Sequence, residues 1–144
     1  GNGADYPGFE AIIDDYGTTD AANLAKAYAG ICYFKLGDTK KALDLLKSYD
    51  GSDKMIAPSV TGLIGDCLVN EGKVKDGIGY FEKAASQADN EVISPVYLKK
   101  AGLAYESLNQ PKDAVKAYTT IKEKYFNSLE AADIDKYIAR ASAK

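Results

Sequence analysis

The sequence predicts an all-α fold, a right-handed superhelix of antiparallel helix pairs (an α-solenoid), and three observations predict it. The pattern AYAGICYFKLGDTKKALDLL returns as TGLIGDCLVNEGKVKDGIGYF and again as KKAGLAYESLNQPKDAVKAYT. Gly30, Gly65 and Gly102 stand at equivalent places 35 and 37 residues apart, and Ala42, Gly77 and Ala114 keep the same spacings. A period near 34 residues is that of stacked helix–turn–helix units. Within each copy the apolar residues recur at i, i+3, i+4 and i+7, the stripe of a helix packed on one side. Gly37, Gly72 and Asn109 fall between the two stripes of each copy, and these residue types accept the left-handed conformation that ends a helix.

Taken in order, residues 5–19 read as the second helix of a truncated repeat, because Phe9, Ile12 and Tyr16 parallel Tyr118, Ile121 and Tyr125. Three full repeats follow, over 20–54, 56–91 and 95–128. Their first helices are expected at 20–36, 56–71 and 95–108, and their second helices at 38–49, 73–87 and 111–125. Asp38 is placed to cap the second helix of repeat one, and Ser94 to cap the first helix of repeat three. Pro95 and Pro111 stand at helix starts, where the missing N–H costs nothing. The expected core comprises Ala29, Tyr33, Leu36, Ala42, Leu46 and Tyr49 in repeat one; Ile64, Leu68, Ile78, Phe81 and Ala84 in repeat two; and Ala101, Tyr105, Leu108, Ala114, Tyr118 and Ile121 in repeat three. Residues 129–143 should form a polar-backed cap helix that turns Leu129, Ile134, Tyr137 and Ile138 inward. The segment 73–87 is the weakest helix former, since Gly77 and Gly79 each cost about 1 kcal/mol relative to alanine.

Composition bounds the function. The 144 residues suit one domain, with 46% apolar and 27% charged residues and a formal net charge of −3. There is one arginine, Arg140, and no basic stripe, so no nucleic-acid partner is expected. No run approaches the roughly 20 apolar residues of a membrane span. Histidine is absent altogether, which removes the commonest general base and neutral metal ligand. Cys32 and Cys67 occupy equivalent repeat positions and read as small buried hydrophobes. Neighbouring repeats should hold them about 8–10 Å apart, too far for a disulfide. Asp14–Asp15 and Asp133/Asp135 do not share helix faces as a catalytic dyad would. The stretch GKVKDGIG lacks the spacing of a phosphate loop and follows a helix rather than a strand. No catalytic residue, metal or cofactor is expected.

The signposts Gly30-Ile31-Cys32-Tyr33, Leu36-Gly37, Ala42 and Leu46, with Gly102, Tyr105, Ala114 and Tyr118, resemble those of tetratricopeptide-repeat proteins over nearly the whole chain. Lys26 and Gly77 depart from the usual large residue and alanine. NGADYPGF, DYGTTDAANLAKAYAGICY and the ending IKEKYFNSLEAADIDKYIAR further resemble a group of bacterial envelope tetratricopeptide proteins, related to single-span accessory proteins of the Sec translocon. That resemblance implies an inner-membrane anchor upstream, membrane contact through that segment alone, and a periplasm-facing domain.

The family comparison also places the first helices on a concave, partner-binding surface. Repeat one would present Leu24, Ala27, Tyr28, Ile31 and Lys35, with Phe34 near the rim. Repeat two would present Ser59, Gly62, Leu63, Asp66 and Asn70, and repeat three Val96, Lys99, Lys100, Leu103 and Glu106. Ala27 and Ile31 stand where the carboxylate-clamp members carry Lys and Asn, so a clamp for a C-terminal carboxylate is not expected. The groove should be apolar at its N-terminal end and basic near Lys99 and Lys100. The function expected is a non-catalytic scaffold binding a protein or peptide segment; the alternative is a self-assembly module, a homodimer joined through the groove side of repeat one.

Overall fold

The structure is a computed structural model, and it describes residues 20–144. Among the described residues the elements are α1 (Asp20–Lys35), α2 (Thr39–Lys47), α3 (Ile56–Asn70), α4 (Val74–Ala88), α5 (Ser94–Ser107), α6 (Pro111–Lys124), a 3-10 turn (Glu130–Asp133) and α7 (Ile134–Ser142). The first six helices begin and end within two residues of their expected spans. They pack as three successive antiparallel pairs, α1/α2, α3/α4 and α5/α6, each stacked on the next, and α7 lies against α6. The architecture is an all-α solenoid. The half repeat expected at 5–19 lies outside the described residues.

One device joins the helices of every pair. A methyl group built on Gly30 would stand 2.6 Å from Leu46, on Gly65 2.6 Å from Phe81, and on Gly102 2.2 Å from Tyr118. Each first helix thus offers a bare backbone, and each second helix lays a large side chain against it sixteen residues later. Leu46, Phe81 and Tyr118 are all at most 3% exposed. In repeat two the backbones come closer still: a methyl on Gly77 would meet the Gly65 carbonyl oxygen at 2.9 Å. The glycine that weakens α4 in isolation is therefore what lets α4 dock on α3.

The turns inside the pairs follow the sequence. Gly37, Gly72 and Asn109 have φ of 85°, 82° and 60°, and Asp38 Oδ1 accepts the Lys41 N–H at 3.1 Å. Three expectations need correction. Ser94 is the first residue of α5 rather than its cap; its hydroxyl donates to the Ala85 carbonyl at 2.8 Å. The turn into α5 is capped by Asn90, whose Oδ1 accepts from Val92 N at 2.9 Å and Ile93 N at 2.7 Å. Asp53 does the same before α3, accepting from Met55 and Ile56. Leu129 is 90% exposed, because it occupies the same turn position as Met55 and Val92, just ahead of a helix. Leu36 is 45% exposed; its counterpart Leu108 packs against Ile78, Phe81 and Ala101 of the neighbouring cluster, and among the described residues no helix pair precedes α1 to cover Leu36. Ile134, Tyr137 and Ile138 do turn inward, joining Tyr118 and Ile121 in the C-terminal core.

Both cysteines are free thiols. Cys67 is fully buried, and burial, with the Asp66 and Glu71 carboxylates nearby, pushes its thiol up to about 11. A thiol so held is protonated and inert at neutral pH.

Candidate partner-binding groove

Between the first helices α1 and α3, with α5 closing one side, lies a cavity of about 490 Å³. Leu24, Ala27, Tyr28, Ile31, Phe34 and Lys35 of α1 form one wall; Met55, Ile56, Ser59, Val60 and Leu63 form the other, and Tyr97 of α5 closes one side. Helical spacing explains the first wall, since residues 24, 27, 28, 31, 34 and 35 fall on one face. Leu24 is 39% exposed, and Tyr28 and Met55 are each half exposed. Tyr97 is seated by a glycine: a methyl group on Gly62 would come within 2.1 Å of its ring. Burial, with the Asp66 carboxylate second, pushes the Tyr97 phenol up to about 12, so it remains a neutral donor and contacts the Ser59 carbonyl at 3.4 Å.

Eight residues expected in the groove (Leu24, Ala27, Tyr28, Ile31, Phe34, Lys35, Ser59 and Leu63) therefore converge on this one cavity. Asp66, Lys100 and Leu103 line a separate hollow of about 320 Å³ between α3, α4 and α5. Asn70, Lys99 and Glu106 line neither hollow. Met55, Ile56, Val60 and Tyr97 are groove residues that the sequence reading did not place there. Met55 precedes α3, Ile56 and Val60 extend the face of Ser59 and Leu63 at helical spacing, and Tyr97 reaches the cavity through the gap at Gly62.

The end expected to be basic is neutralised from within. Lys100 Nζ donates to both Asp66 oxygens, at 2.8 and 2.9 Å, and stands 5.5 Å from the Tyr97 ring centre. Lys99 Nζ lies 4.4 Å from the ring centre of Tyr137 on α7, a cation–π contact. Glu106 is drawn into a network with the C-terminus. Arg140 donates to it through Nε at 3.0 Å and Nη2 at 2.5 Å, and the Tyr118 hydroxyl donates at 2.7 Å. The Arg140 hydrogen bond, above all, holds the Glu106 carboxyl below the usual carboxylate range. Burial and the Glu106 carboxylate together push the Tyr118 phenol well above its ordinary value.

Residues 27–49 and 97–128 each match the family model of the tetratricopeptide repeat. These stretches run from α1 into α2 and from α5 through α6, so the similarity to the tetratricopeptide repeat falls at both ends of the described solenoid. A search of the curated proteins finds no match. Repeats of this kind generally mediate protein–protein interaction, and the proteins built from them are generally non-catalytic scaffolds. Among the described residues no helix is long and apolar enough to cross a membrane.

Proposed function

We propose that this protein is a non-catalytic scaffold that holds an apolar segment of another polypeptide in the cavity between α1 and α3. The observation that carries this reading is the cavity's lining: of its twelve residues, Lys35 alone is charged, while Leu24, Tyr28 and Met55 offer exposed apolar surface. A concentrated apolar patch of this kind marks an interaction site, and an amphipathic helix is the element that lays such a face into a groove. The resemblance to bacterial envelope proteins supports placing the scaffold on the periplasmic side of an inner membrane, carried by an anchor upstream.

The test is photo-crosslinking from position 28 of the full-length protein in its own cells. A crosslink to a different polypeptide, lost when Leu24 and Ile31 are both replaced by Asp, is the expected result. Crosslinks confined to the same chain, or to a second copy of it, would sink the recruiting groove; the latter would establish self-assembly instead.

A further inference from the structure

A second concavity, of about 600 Å³, lies between α2 and α4. It shares no residue with the groove. Lys47, Lys73, Lys75 and Lys83 line it, against the single acid Asp76, and Leu68 and Tyr80 contribute its apolar surface. The chain as a whole carries a net charge of −3, so this is a local reversal of sign. Lys73 is taken by Glu71 at 3.5 Å. Lys47, Lys75 and Lys83 are all exposed, and none of them takes part in any of the ion pairs formed among the described residues.

A glycine gives this concavity its meaning. Lys75, Gly79 and Lys83 follow each other at i, i+4 and i+8 along one stripe of α4, and Gly79 lies in the concavity between the two lysines. Among the described residues every other glycine within a helix is pressed against a neighbour, but a methyl group on Gly79 would meet nothing within 4 Å. The repeat does not require glycine here either: the equivalent positions are Asp44 and Lys116. A helix-interior glycine costs about 1 kcal/mol, and with no packing reason the remaining one is close approach of something from outside. We infer that this concavity is a second binding site, which takes an acidic stretch of a polypeptide: its backbone passes over Gly79 and its carboxylates pair with Lys47, Lys75 and Lys83. Carboxylates fit better than phosphates, because no arginine, the residue of bidentate phosphate recognition, lines the site. A nucleic acid would want a longer basic stripe and stacking platforms.

The experiment is fluorescence anisotropy of a labelled hexaglutamate peptide titrated with the full chain at low ionic strength. Binding is expected to saturate, to weaken with added salt, and to be absent for hexaglutamine. Gly79→Glu, which fills open space with a like charge, should reduce affinity more than tenfold while melting no lower than the parent chain. Lys75→Gln with Lys83→Gln should weaken binding by about fivefold, as two exposed pairs would. Lys112→Gln, at the position on α6 equivalent to Lys75, should change nothing. Binding that survives Gly79→Glu, equal binding of hexaglutamine, or equal displacement by a hexathymidylate oligonucleotide would each overturn the assignment.

Discussion

Helices α1 and α5 carry equivalent repeat positions and treat them in opposite ways. Where α1 has Ala27, Tyr28 and Phe34, α5 has Lys99, Lys100 and Glu106. The apolar set lines an open cavity. The charged set is spent on the molecule itself: Lys100 on Asp66, Lys99 on the Tyr137 ring, Glu106 on Arg140 and Tyr118. A polar face that finds its partners inside the chain has little left to offer a ligand, because recruiting one would first break bonds already made. An apolar face keeps its gain until another apolar surface arrives. The two ends of one repeat array are thus divided between recognition and closure, with α7 packed where the first helix of a further repeat would lie.

The sharpest way to break this comparison is to remove the side chain on which the closed end turns. Tyr118 is fully buried; it fills the space beside Gly102, packs 5.6 Å from the Tyr137 ring and donates to Glu106. Tyr118→Ala should cost about 3–5 kcal/mol, read by urea unfolding. Its counterpart Leu46→Ala leaves a smaller cavity and no stranded carboxylate, and should cost less. If Leu46→Ala proves the costlier change, the C-terminal network contributes little and the closed end is closed by apolar packing alone.

Next in size is a pair of glycine substitutions with opposite signs. In Gly102→Ala the new methyl would stand 2.2 Å from Tyr118 Cε1, and the ring has no room to withdraw, so the change should cost about 1–3 kcal/mol by overpacking. In Gly79→Ala the methyl meets open space, and the helix should gain about 0.5–1 kcal/mol. Both are read from the shift of the denaturation midpoint. A loss of stability in Gly79→Ala would mean that the backbone there is under some constraint other than a ligand's approach.

The pairs of small and large residues were written plainly in the chain: Gly30 with Leu46, Gly65 with Phe81 and Gly102 with Tyr118 recur at one spacing, and a periodic pattern survives the noise of single positions. The α1 wall of the groove was legible for the same reason, since one helical face is a local property. What could not be read locally was what returns from elsewhere. Lys99, Lys100 and Glu106 do lie on α5 as expected, but Asp66 and Arg140 each reach them across 34 residues. That separation is close to one repeat, so the signal was present as opposite charges nearly one period apart. Asn90 was hidden by Ser94-Pro95, which carries the stronger local cap signature, whereas the turn geometry gives the capping role to the residue four positions earlier. Tyr97 needed the void at Gly62, a fact about two helices rather than one.

The smallest effect is electrostatic and tests how tightly the closed end is held. Glu106 is 8% exposed as a side chain, and Arg140's hydrogen bonds, with those of Tyr118 behind them, keep its carboxyl ionised below the ordinary glutamate value. A carboxyl whose value is lower in the folded state stabilises the fold at every pH above its unfolded value, roughly 4.3. That contribution is then lost as pH falls through the folded value. Glu106→Gln cannot titrate, so its stability should fall less steeply than the parent's between about pH 5 and 3, where such a group loses its proton-linked contribution. Asp53 and Asp89 are also held low, by the backbone N–H of Ile56 and by the Tyr125 hydroxyl respectively. Some acid sensitivity must therefore remain in the variant. Parallel acid limbs for the two proteins in urea titrations would mean that the carboxylate is as well solvated in the unfolded chain as it is bonded in the fold. Closure would then rest on the apolar contacts of Tyr118, Ile134 and Ile138.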